Sequence, residues 1–225
     1  FPHKGIKDFN PNLTSLYEFF VRSMNYFIVE LKLFDNNFIE KYPISFLTGE
    51  EELNKNISKE YFIFKNIFNN CYINELMHLD MAITGHNTLD HVIGVNNLSM
   101  YIARQLYAIG LPVDLGVVAG ASLGHDIGKY GVLDEDSKRV PYLHYYYTEE
   151  WFKRFKMDKI GHIATNHSTW DLELETLPIE SLILIYSDFR VKNKVENNDY
   201  NMHIFSLEES FDVILQKLDN VDETK

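Results

Sequence analysis

Apolar residues recur at steps of three and four along most of this chain, the spacing of helices that each carry one greasy face. After an irregular lead-in over Phe1–Pro11, the residues Leu13, Leu16, Phe20, Met24, Phe27, Leu31 and Phe34 mark a helix from Leu13 to Phe34, capped by Asn12 or Thr14. Pro43 and Gly49 punctuate a short segment, and a further helical pattern runs from Glu50 to about Met81 through Leu53, Ile57, Tyr61, Phe64 and Phe68. Asp90 or Thr88 is placed to cap a helix from about His91 to Ala108, closed by Gly110 and Pro112. Its expected buried stripe is Val95, Leu98, Ile102, Leu106 and Ile109, with His91 at the head.

The next helix starts near Val113-Asp114 and runs toward His125 through residues that are mostly small (Gly116, Ala119, Gly120, Ala121, Ser122, Gly124), which lets neighbouring helices approach closely. A polar loop over Asp134–Arg139 ends at Pro141, and His144 opens an aromatic helix (Tyr145, Tyr146, Tyr147, Trp151, Phe152, Phe155). Those rings suit either core packing or stacking on a nucleobase. A short helix over Ile160–Asn166 delivers His167, with His162 on a different face. Leu177-Pro178 introduces a helix from Ile179 to Lys194, and an amphipathic helix over Phe205–Leu218 closes the chain before a frayed tail. The expected fold class is therefore all-α.

Composition narrows the function. With 225 residues the chain can bury a large core. A formal charge of -12 argues against non-specific binding to a nucleic-acid backbone, which needs clustered Lys and Arg. A small phosphorylated substrate remains compatible, because a bound dication and a few basic groups reverse the field locally. The single cysteine, Cys71, fits a reducing, cytoplasmic setting. No apolar run reaches the length of a membrane span, and no signal peptide is evident, so membrane insertion is not expected. The chain opens on Phe1 rather than Met, which fits a processed chain or a piece of a longer one, so a missing domain or an oligomer partner is also expected.

The chemistry concentrates in Gly120-Ala-Ser-Leu-Gly-His125-Asp126-Ile-Gly-Lys129-Tyr130. Adjacent His and Asp do not share a helix face, yet both can reach one ion at a helix end, where the backbone turns away. Imidazole nitrogen with carboxylate oxygen suits Mn, Fe, Co, Ni or Zn, and also serves Mg. His91, on an apolar stripe, reads either as a satisfied core residue or as a ligand. Asp188 follows Leu184 by one turn and so belongs to an inward face, where a carboxylate needs a partner. Arg190 and Lys192 are not expected on that face, which leaves a metal as its partner. Lys129, in the turn after the His-Asp pair, is placed either to meet a phosphate or to stay solvated. His3 and His78 have no expected catalytic role, and His86 lies in the entry turn.

The order His91…His125-Asp126…Asp188, with Gly-His-Asp-Ile-Gly-Lys at 124–129 and Ile185-Tyr-Ser-Asp188, resembles the HD-domain superfamily of metal-dependent phosphohydrolases over roughly 86–195. The resemblance implies an HD-type helical bundle at 86–225, preceded by an N-terminal helical extension of unknown role at 1–85. It implies a divalent metal held by His91, His125, Asp126 and Asp188. His144 and His167 stand where two-metal members add histidines, so one or two ions are expected. Asn166-His167-Ser-Thr is similar to the branch that includes diadenosine polyphosphate hydrolases. The Gly-Tyr-Pro signature of the cyclic-dinucleotide branch is absent. The implied activity is hydrolysis of a phosphate ester or anhydride of a nucleotide or dinucleotide, with Asp126 and Lys129 as catalytic residues. The alternative is a non-catalytic HD module that binds a nucleotide or a partner protein.

Overall fold

The long helical pattern expected from Glu50 to Met81 breaks after Glu52. In the computed structural model, which describes residues 43–70, 73, 74, 77, 78, 80, 88–130, 139–167, 177–196 and 199–218, Thr48 and Glu51 form a capping box that opens a short helix, α1 (Gly49–Glu52). The chain then turns through Asn54, whose side chain accepts from Asn56 N at 2.9 Å, before α2 (Lys59–Asn70) begins. Local side-chain bonds of this kind compete with helix, and Leu53 is consequently exposed rather than on a buried face. The expected helix over Leu13–Phe34, the lead-in, His3, His86, the loop at 134–138 and the tail after Asp219 lie outside the described residues.

From α2, Tyr61, Phe64 and Phe68 enter the core on one face. The following helix, α3 (Thr88–Ala108), already includes both residues expected to cap it and is rotated from its expected stripe. It buries Val92, Val95, Asn96, Ser99 and Ala103, whereas Ile109 lies beyond its end and is 76 % exposed. Apolarity alone misplaced this face because two of its members are polar. Asn96 is satisfied inside, accepting from Ser45 N at 2.8 Å and donating to Ser122 Oγ at 3.0 Å.

Every residue of α4 (Leu115–Gly124) is buried, and the helix packs against α2 and α3. Asp114 caps it, accepting from Gly116 N and Val117 N. After a one-turn 3-10 helix (Ile127–Lys129), α5 (Val140–Arg154) begins earlier than expected. Pro141 sits in its first turn, where no backbone donor is needed, instead of ending a loop. Trp151 and Phe152 belong to the core. The next helix, α6 (Asp158–Thr165), has no side-chain cap of its own. Glu60 of α2 supplies one, accepting from Lys159 N at 3.2 Å and Ile160 N at 2.9 Å.

The expected helix from Ile179 to Lys194 is shorter. It ends as α7 (Ile179–Arg190), and the chain continues as strand β1 (Val191–Glu196), antiparallel to β2 (Asp199–Ile204) with Val191 opposite Ile204. β-Branched Val191, at 0 % exposure, anchors this strand in the core. Ser206 and Glu209 then form a reciprocal cap on α8 (Leu207–Leu218). The hairpin apart, the regular elements among the described residues are helices, and the fold is all-α.

Candidate metal centre

Five helices aim side chains at one point. His91 comes from the first turn of α3, His144 from α5, Asp188 from α7, and His167 from just beyond α6. His125 and Asp126 occupy the turn between α4 and the 3-10 helix. That break in the helix lets two neighbouring residues face the same space. The turn closes against α5 because residue 128 is glycine. An added Cβ would overlap the carbonyl oxygen of His144 and lie 2.6 Å from Thr148 N. Thr148 Oγ1 accepts from Gly128 N and donates to the carbonyl of His125, both at 3.1 Å.

The six side chains form two groups: His91, His125 and Asp188, and Asp126, His144 and His167. Within each, the candidate ligand atoms lie within 4.8 Å of one another. In the first, His91 Nε2 is 2.9 Å from Asp188 Oδ1 and 3.3 Å from His125 Nε2. In the second, the Nε2 atoms of His144 and His167 are 3.4 Å apart. Asp126 stands between the groups. Its Oδ2 is 3.6 Å from Nε2 of both His91 and His125, and its Oδ1 is 3.7 Å and 3.8 Å from Nε2 of His144 and His167.

Each imidazole is oriented by a backbone carbonyl. Nδ1 of His91, His125, His144 and His167 faces the carbonyl oxygens of Val191, Ser122, Val140 and Ala164 at 2.6–3.1 Å. A carbonyl only accepts, so each Nδ1 carries a proton, and Nε2 of the neutral ring is the atom left to present a lone pair. Lone pairs and carboxylate oxygens thus converge on one another. The arrangement suits cations between them, and Asp126 Oδ1, buried with no hydrogen-bond partner, is the atom that most needs one. Nitrogen and oxygen donors together fit a divalent first-row ion.

The electrostatics favour ligation. Burial pushes His144 and His167 down to about 4 and also lowers His125, so these rings are neutral at pH 7. Burial, the largest single effect, works against an ionised Asp126, but the Lys129 ammonium, 2.5 Å from Oδ2, together with His125, His91 and His167 outweighs it and holds the carboxyl well below its usual range. Asp188 is likewise held low, burial being outweighed by Lys192 and His91.

Lys192 was not expected here. Because α7 ends at Arg190, the change to strand swings Lys192 back, with Nζ 2.6 Å from the Asp188 carbonyl and 3.9 Å from Asp188 Oδ1. Val191 and Val195 stand four apart, a spacing that fits a helix as well as a strand, so periodicity gave no signal of the change. Arg190 points elsewhere, bonding Tyr186 and the Phe205 carbonyl. Tyr145 was also missed as part of the centre. Its ring lies 3.8 Å from that of His144 and 4.8 Å from that of His167. His162 is exposed and bonds Asn166 instead.

Residues 88–189, which span all six side chains, match the family model described as HD domain. The match supports membership of the HD-domain superfamily, whose members are generally metal-dependent phosphohydrolases. No curated protein and no solved structure matches the chain. No helix among the described residues is long and apolar enough to cross a membrane.

Proposed function

We propose that the protein hydrolyses a phosphate ester or anhydride, with a nucleotide or dinucleotide as substrate, using two divalent ions. The observation that carries this reading is the position of Asp126, with one oxygen facing each group of ligands and the inner oxygen buried without a hydrogen bond. His91, His125 and Asp188 would hold one ion, His144 and His167 the other, and Asp126 would serve both. When bound, such ions supply Lewis-acid charge to a phosphoryl oxygen and acidify water from about 15.7 toward roughly 7.

The chain's own residues supply orientation and charge. The four carbonyl contacts fix the imidazoles in the ligating tautomer, so little reorganisation accompanies loading. Lys129 reaches Asp126 from a partly exposed position, 32 % accessible, where its ammonium also meets charge developing on the phosphoryl group. Asp126 and Lys129 are the catalytic residues in this reading. Residues 1–85 are read as an extension to the HD-type domain at 86–225, and Tyr61, Phe64 and Phe68 pack it onto the helices that carry the ligands.

Metal analysis of the purified chain, followed by phosphate release from a panel of nucleotides, tests the proposal. The expected result is two ions per chain and turnover that His125→Ala and Asp126→Ala abolish without loss of helical signal. Retained hydrolysis in either variant refutes the mechanism. A metal-loaded protein inert on every phosphate offered makes this HD domain a binding module instead.

A further inference from the structure

We propose that Lys192 is a second phosphate-binding cation at the mouth of the centre, and that the substrate carries at least two linked phosphoryl groups. This inference rests on the hydrolase reading above. Exposure shows where the mouth lies. The side chains of His125, Asp126, His144 and His167 are 0–5 % exposed, whereas those of Lys129, Asp188, His91 and Lys192 are 32 %, 24 %, 15 % and 15 % exposed. A ligand from solvent therefore arrives over His91 and Asp188, between the two lysines.

The lysines stand at the ends of one row. From Lys129 Nζ the contacts run to Asp126 Oδ2, His91 Nε2, Asp188 Oδ1 and Lys192 Nζ, none longer than 3.9 Å. The first ligand group separates the two ammoniums, so a phosphoryl group seated beside Lys129 leaves Lys192 for the next one along. Lys192 is held ready for that contact. One of its three N–H donors is spent on the Asp188 carbonyl at 2.6 Å, and Asp188 Oδ1 at 3.9 Å is beyond hydrogen-bond length. In a chain of formal charge -12, two such ammoniums at one mouth favour a polyanion over a singly phosphorylated ligand. In the reaction, the oxygen of water bonds to one phosphorus, the bridging P–O bond breaks, and the second phosphoryl group leaves with that oxygen. The water gives up one proton to solvent and one to the phosphate products.

Inorganic pyrophosphate and orthophosphate, titrated calorimetrically into the full chain after loading with Mn(II) and removal of excess metal, test this. The wild type is expected to bind pyrophosphate more tightly. Lys192→Met is expected to weaken pyrophosphate binding about tenfold, the worth of one charged hydrogen bond, and to leave orthophosphate binding unchanged. Lys192→Arg is expected to retain the preference. A role confined to capping α7 would lower thermal stability without moving that ratio. Equal loss for both anions, no loss, no wild-type preference or no binding overturns the inference. Metal content measured on the same samples separates the two claims. A wild type that holds no metal fails the hydrolase reading, whereas a loaded wild type that shows no preference fails only the role of Lys192.

Discussion

The Nδ1 atom of His91 lies 3.1 Å from the carbonyl oxygen of Val191, a hundred residues further along the chain. That carbonyl belongs to the residue at which α7 gives way to β1. The helix-to-strand change therefore sets both the orientation of His91 and the position of Lys192.

Gly94 is where this coupling can be loaded. A Cβ there would lie 2.8 Å from Val191 Cγ1 and 3.3 Å from Met202 Cγ, on the two strands of the hairpin. Gly94→Ala is expected to push the hairpin off α3, costing about 1–3 kcal/mol as an overpacking change, and to weaken metal binding through His91. Urea unfolding and titration against a chelating dye check the two effects. A variant that is destabilised but binds metal with wild-type affinity would uncouple the hairpin from the centre.

The division of ligands predicts stoichiometry. His144→Ala removes a ligand from one group only and is expected to halve the bound metal, whereas Asp126→Ala touches both and is expected to lower it further. Plasma mass spectrometry of the purified variants distinguishes these. Equal metal content in the two would mean that Asp126 does not serve both groups.

Thr148 ties α5 to the His-Asp turn. Thr148→Val keeps the shape but leaves Gly128 N and the His125 carbonyl without this partner. The expected loss is about 2–6 kcal/mol, from two buried groups at about 1–3 kcal/mol each. Gly128→Ala is expected to be worse, since its Cβ meets backbone rather than a movable side chain. Chemical denaturation gives both values, and a Gly128→Ala protein as stable as wild type would contradict the close approach.

Below neutrality the metal-free protein is expected to lose stability. Burial lowers His144 and His167 to about 4 in the folded chain, against about 6.5 when unfolded. Between those values the unfolded chain binds protons that the folded chain refuses. Their contribution is therefore complete above pH 6.5 and is lost as pH falls toward 4. Melting curves across that window test this, with His144→Asn expected to flatten the slope. An unchanged slope in that variant would remove His144 as a source.

Some of this was legible in the chain. The Gly-His-Asp-Ile-Gly-Lys run, with His91 before it and Asp188 after it, points to the HD superfamily, and the matched segment at 88–189 agrees. The buried face of α3 was misjudged because Asn96 and Ser99 are polar residues that α3 buries. The hairpin was missed because the helical spacing through Leu184 and Asp188 was extended past Arg190, and Val191 and Val195, four apart, continue that spacing although the chain there is a strand.

By itself the sequence determined the helical class of the fold and the residue types available for chemistry. Periodicity and capping are relations among residues only a few positions apart, so they can be read along the chain. Only the tertiary structure decided that Asp126 shows one oxygen to each trio, that four carbonyls leave Nε2 bare, and that Lys192 turns back over Asp188. Those facts depend on where helices end and which backbones come within a few ångströms, and packing between distant segments sets both.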